Sequence, residues 1–119
     1  MPSSTTGTGD GAMALAVSNH VVKLLSQYTG RGATKARTYF EEDLVTVVVE
    51  DLLTTGERSL ASNGDAALIL NMRRAYQAAM AVDLIAGVES ITGRSVAAFL
   101  SANHLDPDVA VETFVLKPD

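Results

Sequence analysis

The sequence predicts an α+β fold in which one motif, a helix followed by a β-hairpin, occurs twice. Three observations lead to this prediction. An amphipathic helical pattern precedes the tripeptide Thr-Gly-Arg at two places, 29–31 and 92–94. Each tripeptide is followed by two strand-like segments, and an acidic turn joins the two segments. We therefore expect a four-stranded antiparallel sheet covered on one face by two long helices.

Length and composition limit the class of protein. A chain of 119 residues corresponds to one domain, which we place at 12–116. The Ser/Thr/Gly-rich segment 1–11 is expected to be a disordered tail, and 117–119 is a polar tail. The absence of cysteine excludes disulfides and thiolate chemistry and fits a cytoplasmic protein. The net charge of −5 disfavours nucleic-acid binding, and no apolar run is long enough for membrane insertion.

Two long helices are predicted from apolar residues that recur every three or four positions. The first runs from residues 10–12 to about 28, and the second spans about 65–91 with Asp65 as its N-cap. Gly30 and Gly93 follow the helices and suit left-handed C-caps. The second helix also has a stripe of smaller apolar residues, which needs its own partner, either an insert helix between the repeats or a second copy of the chain. This stripe consists of Leu68, Ala75, Ala79, Val82 and Ala86.

Four strands follow the helices in pairs. The predicted strands are 36–42, 44–50, 95–102 and 109–116, with turns at 41–43 and 103–108. The segments 44–50 and 109–116 are the more apolar, so we place them at the centre of the sheet and the other two at its edges. This is the ferredoxin-like layer arrangement with its chain start moved by one strand.

The segment between the two repeats is expected to contain a short helix. Thr54 and Glu57 have the spacing of a capping box, which predicts a short insert helix over about 55–62.

With both long helices on one face of the sheet, the other face would expose Val and Phe side chains, so we expect a homodimer that covers it. Two alternatives stay open: a monomer with one solvated sheet face, and two chains that pair edge strands or exchange hairpins.

The segment 30–37 is a candidate anion site. Arg31, Lys35 and Arg37 supply cations, and glycine frees backbone amides. Thr34 adds a hydroxyl. The segment nevertheless follows the C-terminal end of a helix, whose dipole repels anions, so Arg31 would serve equally well to neutralise that end.

A second candidate cluster lies in the turn before the last strand. Its members are Asn103, His104, Asp106 and Asp108. Histidine and carboxylates suit several divalent ions, but one His and two turn carboxylates leave the metal shell incomplete. We therefore assign no metal and no cofactor. We also assign no catalytic residue, since His104 as a general base would need a substrate pocket and an orienting partner.

Polar residues on the helices are interpreted structurally. His20 is expected to be a packing or surface residue. Arg73 and Arg74, with Asp83 and Glu89, are typical of a charged helix face or of ion pairs at an interface.

Two phrases in the sequence are distinctive: Gly-Arg-Gly-x-Thr-Lys-Ala-Arg at 30–37 and Asn-His-x-Asp-Pro-Asp at 103–108. With the segments 44–51, 92–94 and 99–112 around them, they resemble the MpsC-like family of small bacterial proteins, formerly a domain of unknown function. The resemblance covers about 12–116. It implies an accessory protein linked to a sodium-translocating, membrane-potential-generating system that overlaps with inorganic-carbon uptake, and it supplies no catalytic residues.

These observations favour a non-enzymatic accessory or regulatory protein, expected to be a homodimer, that contacts subunits of a membrane transport complex. The alternative is a sensor of a small anion, such as bicarbonate or a phosphorylated metabolite, bound near Arg31, Lys35 and Arg37. An enzyme that uses His104 and Asp106 is a third hypothesis.

Overall fold

The computed structural model describes residues 8–30 and 35–118, which form one α+β domain. Its elements are α1 (Thr8–Thr29), β1 (Lys35–Glu41), β2 (Leu44–Glu50), α2 (Thr55–Leu60), α3 (Ala66–Thr92), β3 (Val96–His104) and β4 (Val109–Leu116). The predicted order of helices and hairpins is confirmed. Helix α1 begins a few residues earlier than predicted, so it includes the end of the predicted tail, while 1–7 lie outside the described residues.

The four strands form one antiparallel sheet in the order β1-β2-β4-β3. The two apolar strands are therefore central and the other two are edges, as predicted. Two turns differ from the prediction. The first contains only Glu42 and Asp43. In the second hairpin, Asn103 and His104 continue β3 because they pair with Ala110 and Val109 of β4.

The core lies between the helices and one face of the sheet, which we call the inner face. Alternation along β2 turns Val45, Val47 and Val49 towards the helices, and each is at most 1% exposed. Residues from both long helices and from β4 close over them. The remaining members of this core are Val17, Val21, Leu24, Met80, Leu84, Val88, Phe114 and Leu116.

Both long helices end in the same way. Gly30 and Gly93 have φ of 71°, the left-handed conformation in which glycine carries no Cβ penalty. Their N–H groups donate to carbonyls four residues back, at 2.9 and 2.8 Å. After Gly93, the Arg94 guanidinium donates to Asp43 Oδ1 at 2.6 Å and to the Lys117 carbonyl at 2.6 Å. Arg94 of the second repeat is thereby hydrogen-bonded to the β1–β2 turn of the first repeat.

The insert between the repeats follows one prediction and departs from another. Thr54 and Glu57 form the predicted capping box, with bonds of 3.1 and 2.8 Å. Helix α2 is followed by a π-helical turn, Ala61–Asp65, in which Asn63 and Gly64 leave helical geometry. Asp65 is the N-cap residue of α3, as predicted, but its side chain makes no capping hydrogen bond.

Helices α1 and α3 approach closely at a glycine. A Cβ on Gly87 would lie 1.9 Å from His20 Nε2, so the imidazole occupies the space that a side chain would fill. The same nitrogen lies 3.0 Å from the Asp83 carbonyl oxygen, and Tyr28 donates to the Asp83 carboxylate at 2.8 Å. His20 is thus a packing residue, as predicted.

Candidate functional site

The face of the sheet opposite the helices, which we call the outer face, is an apolar surface. Leu44, Tyr39 and Leu100 on it are 38%, 50% and 56% exposed. In the register of the sheet, Val48 of β2 lies beside Val111 of β4, and Leu44 lies beside Val115. No described element covers this face, because both long helices lie on the other one.

One part of the prediction for this face is wrong. The phenylalanines point to the inner face: Phe114 is fully buried, and Phe40 and Phe99 pack against the core. Phe99 stacks on Phe114 with ring centroids 4.9 Å apart. The apolar residues of the outer face are therefore Val, Leu and Ala with Tyr39, and phenylalanine is not among them. The β-bulge between Val96 and Ala98 shifts the side-chain alternation of β3, which turns Phe99 inward.

Helix α3 also leaves its second stripe open. Leu68 is 58% exposed and Val82 is 76% exposed, and the three alanines of the stripe are exposed as well. The expectation that the insert helix covers this stripe is wrong, because the stripe stays exposed in the presence of α2. The other expected partner, a second copy, remains a prediction.

The predicted anion loop is only partly described. Arg31 and Thr34 lie outside the described residues. Lys35 and Arg37 lie on β1 and point to the outer face, where they are exposed. Arg37 forms an ion pair with Glu50 at 3.2 Å across the β1–β2 ladder. Anion binding by this loop stays a prediction.

The second candidate cluster is divided between the two sides of the sheet. Asn103 and Asp108 point inward, and Asp108 is 9% exposed. His104 and Asp106 are exposed, and His104 Nδ1 lies 2.9 Å from the Pro107 carbonyl oxygen. The two residues of the enzyme hypothesis, His104 and Asp106, are thus exposed and separated from Asn103 and Asp108, which point inward.

Asp108 is the centre of a buried ion-pair group. Its carboxylate accepts hydrogen bonds from the Arg73 guanidinium and, at 2.7 Å, from the Leu53 backbone N–H. Arg58 of the insert approaches it at 3.4 Å. Of the two interpretations of Arg73, the charged helix face is wrong, since this residue is 8% exposed. It forms an ion pair instead, but within the chain. The group joins α3, the insert and the β3–β4 turn.

A cavity of about 100 Å³ lies between α1, α3 and the inner face of the sheet, partly open beside the insert. Most of its wall is apolar. The apolar lining residues are Val21, Leu25, Val49, Leu52, Met72, Tyr76, Met80, Leu84 and Ala110. Its polar lining residues include Arg73, Gln77, Asn103 and Glu112, with Glu57 and Thr54 from the insert.

Glu112 is the buried acidic residue of this cavity. It lies on the inner face of β4 and is 4% exposed. Its carboxylate accepts a hydrogen bond from Gln77 at 3.0 Å and one from the Ser101 hydroxyl at 2.9 Å, while Gln77 and Asn103 bond to each other through both amides. Burial raises the pKa of Glu112 to about 7, although both hydrogen bonds act in the opposite direction.

Sequence reasoning did not identify the cavity or Glu112. The available signal was the alternation along β4, where Glu112 occupies an inner-face position between Ala110 and Phe114.

The fold and these surfaces define a small α+β protein with an open apolar sheet face and a part-enclosed interior cavity. The chain belongs to the MpsC family: the family model, described as "Na+-translocating membrane potential-generating system (MpsC)", matches residues 10–118. Neither a curated protein nor a solved structure matches the chain. The family description names a transport system and no chemical reaction.

Membrane-spanning helices and metal-binding clusters are both absent from residues 8–30 and 35–118. Within these ranges, no helix is both long and apolar enough to cross a membrane. The same residues contain no group of three or more His, Cys, Asp or Glu side chains that would hold a metal ion.

Proposed function

We propose that this chain is a non-enzymatic, cytoplasmic accessory protein of the membrane-potential-generating system for which its family is named, and that it acts by protein contact. The observation that carries the proposal is the apolar outer face, together with the family assignment. An uncovered sheet face of this composition is typical of an interface.

A second copy of the chain is the occupant that fits the outer face. Along β1, Lys35 and Arg37 lie at one end of this face and Glu41 lies at the other. A twofold axis in the plane of the interface and perpendicular to the strands would place β1 opposite its own copy in the reverse direction. Lys35 of one protomer would then meet Glu41 of the other, and Arg37 would meet the ring of Tyr39.

The same arrangement would bring the central strands into apolar contact. Val48 and Val111 lie in one row of the sheet, and Thr46 and Thr113 lie in the next row. The twofold axis would place the valines of each protomer against the threonine methyl groups of the other. Aligned packing of two sheets is a common way to bury such faces.

In this dimer the helices form the two external surfaces. The α3 stripe around Leu68 and Val82 would then be the apolar surface available to the membrane subunits. The role as an accessory protein is tested by affinity purification of the tagged chain from native membranes solubilised in mild detergent. We expect a subunit of a sodium-translocating complex, identified by mass spectrometry, to co-purify.

A pair of variants tests the surface. Val82→Glu places a charge on the stripe and should reduce recovery of that subunit at least tenfold, since burying a charge costs several kcal/mol and tenfold corresponds to about 1.4 kcal/mol. Ala67→Glu is the matched control because it adds the same charge to an exposed position of α3 outside the stripe. Recovery of no sodium-translocating subunit, or equal recovery with both variants, would contradict the proposal.

A further inference from the structure

We propose that the cavity between α1, α3 and the sheet binds a small organic cation, a primary ammonium on a short alkyl chain, whose nitrogen lies at the Glu112 carboxylate. The cavity is on the inner side of the sheet, so this inference is independent of contacts made by the outer face. Three features of the lining carry it: its charge, its hydrogen-bonding capacity and its shape.

The charges that face the cavity favour a cation. From α3, the Arg73 guanidinium is neutralised by its ion pair with Asp108. From the insert, Glu57 adds a second carboxylate. Among the described residues, no salt bridge reaches Glu112. The described lining from α1 and β2 contains no ionisable side chain, so an ionised Glu112 is left without a countercharge.

Glu112 also has hydrogen-bonding capacity to spare. Gln77 donates to Oε1 and Ser101 donates to Oε2, which uses one lone pair on each oxygen. A carboxylate accepts about four hydrogen bonds, and an ammonium group supplies three donors. The carbonyl oxygen of Asn103, which already accepts from Gln77, is a further acceptor at the same end of the cavity.

The rest of the wall fits an alkyl chain. The cavity of about 100 Å³ is smaller than an engineered apolar cavity of about 150 Å³ that binds benzene, so a chain of about four carbons matches it. Met72, Met80 and Leu84 line this part of the cavity. An inorganic cation fits less well, because hard cations prefer six or more oxygen ligands and the wall is mostly carbon.

Titration of the full-length protein at pH 8 tests the inference, with amide chemical shifts as the readout. The probes are n-butylammonium chloride, n-butanol, sodium butyrate and sodium chloride. We expect saturable binding of butylammonium, stronger than that of butanol and much stronger than that of butyrate. The shifted amides should lie in α3, β4 and the insert around the cavity.

Two variants and one change of pH separate the contributions. Glu112→Gln should weaken butylammonium binding by about tenfold and leave butanol binding unchanged, since it removes the charge alone. Glu42→Gln, in the exposed β1–β2 turn, should change neither. Because the pKa of Glu112 is about 7, lowering the pH from 8 to 6 should weaken butylammonium binding to the wild type by about tenfold. This pH test needs no variant.

Several results would overturn the inference. Butylammonium would fail to bind saturably, or butyrate would bind more tightly than butylammonium. Sodium chloride would saturate the same amide shifts, or butylammonium binding would be weakened neither by Glu112→Gln nor by the lower pH. Each is distinguishable from failure of the accessory role, which is measured by recovery of a membrane subunit.

Discussion

At the scale of single residues, burial of the Glu112 carboxyl group couples folding stability to pH. Its pKa rises from the ordinary value of 4.5 to about 7 in the folded protein. Between these values the folded state retains a proton that the unfolded state has released. The stabilisation from this group is therefore fully present below pH 4.5 and is lost as the pH rises through 7.

Glu112→Gln should remove this dependence. The free energy of unfolding of the wild type, relative to the variant, should fall by about 3 kcal/mol between pH 4.5 and 7.5, because each pKa unit corresponds to about 1.4 kcal/mol. Urea denaturation at several pH values measures both proteins. Glu42→Gln, in the exposed β1–β2 turn, should run parallel to the wild type. If Glu112→Gln and the wild type instead show the same dependence of unfolding free energy on pH, burial of Glu112 does not raise its pKa.

The residues that sequence reasoning placed wrongly are polar residues with inward positions. Arg73 lies four residues after Ile69 and seven before Met80, so helical spacing puts it on the buried stripe. Its neighbour Arg74 suggested a charged face instead. Neither the ion pair with Asp108 nor the cavity at Glu112 could be predicted, because both depend on how the insert and α3 meet the sheet.

At the scale of elements, the insert is held to the sheet through Asp108. This carboxylate joins the Leu53 backbone N–H, Arg58 of α2 and Arg73 of α3. Removing its charge leaves the buried guanidinium of Arg73 without a counterion. Elements that are far apart in the chain thus depend on one buried side chain.

Asp108→Asn should lower the free energy of unfolding by about 3 kcal/mol, which is typical when one partner of a buried ion pair is removed. Asp51→Asn is the matched control, since Asp51 is exposed and lies 4.0 Å from Arg58. Its effect should stay below about 0.5 kcal/mol. Urea denaturation at pH 7 compares the two, and equal losses would argue against the central role of Asp108.

The repeat in the sequence predicted which helices and strands form more accurately than the residues at which they end. Helix–hairpin duplication and the apolar character of β2 and β4 were sufficient for the strand order. The end of β3 was misplaced because Asn103 and His104 occur in a segment rich in turn-favouring residues, whereas pairing with β4 keeps them in the ladder. Tertiary pairing outweighs local preference at such positions.

At the scale of the whole molecule, the amphipathic pattern predicted that one sheet face would lack helices. It could not predict the β-bulge that turns Phe99 inward, so it assigned phenylalanine to the wrong face. What covers the open face is set by surface complementarity between molecules, which a single chain's periodicity does not contain.

The most direct test of the proposed dimer is the mass of the protein in solution, measured by sedimentation equilibrium. We predict twice 12.5 kDa for the wild type. Val111→Lys should give the monomer mass, because it would bury an unpaired ammonium group against Thr113 of the other protomer, while Asn19→Lys on the helix side should remain a dimer. A monomeric wild type, or a dimer that Val111→Lys leaves intact, would contradict the role of the outer face.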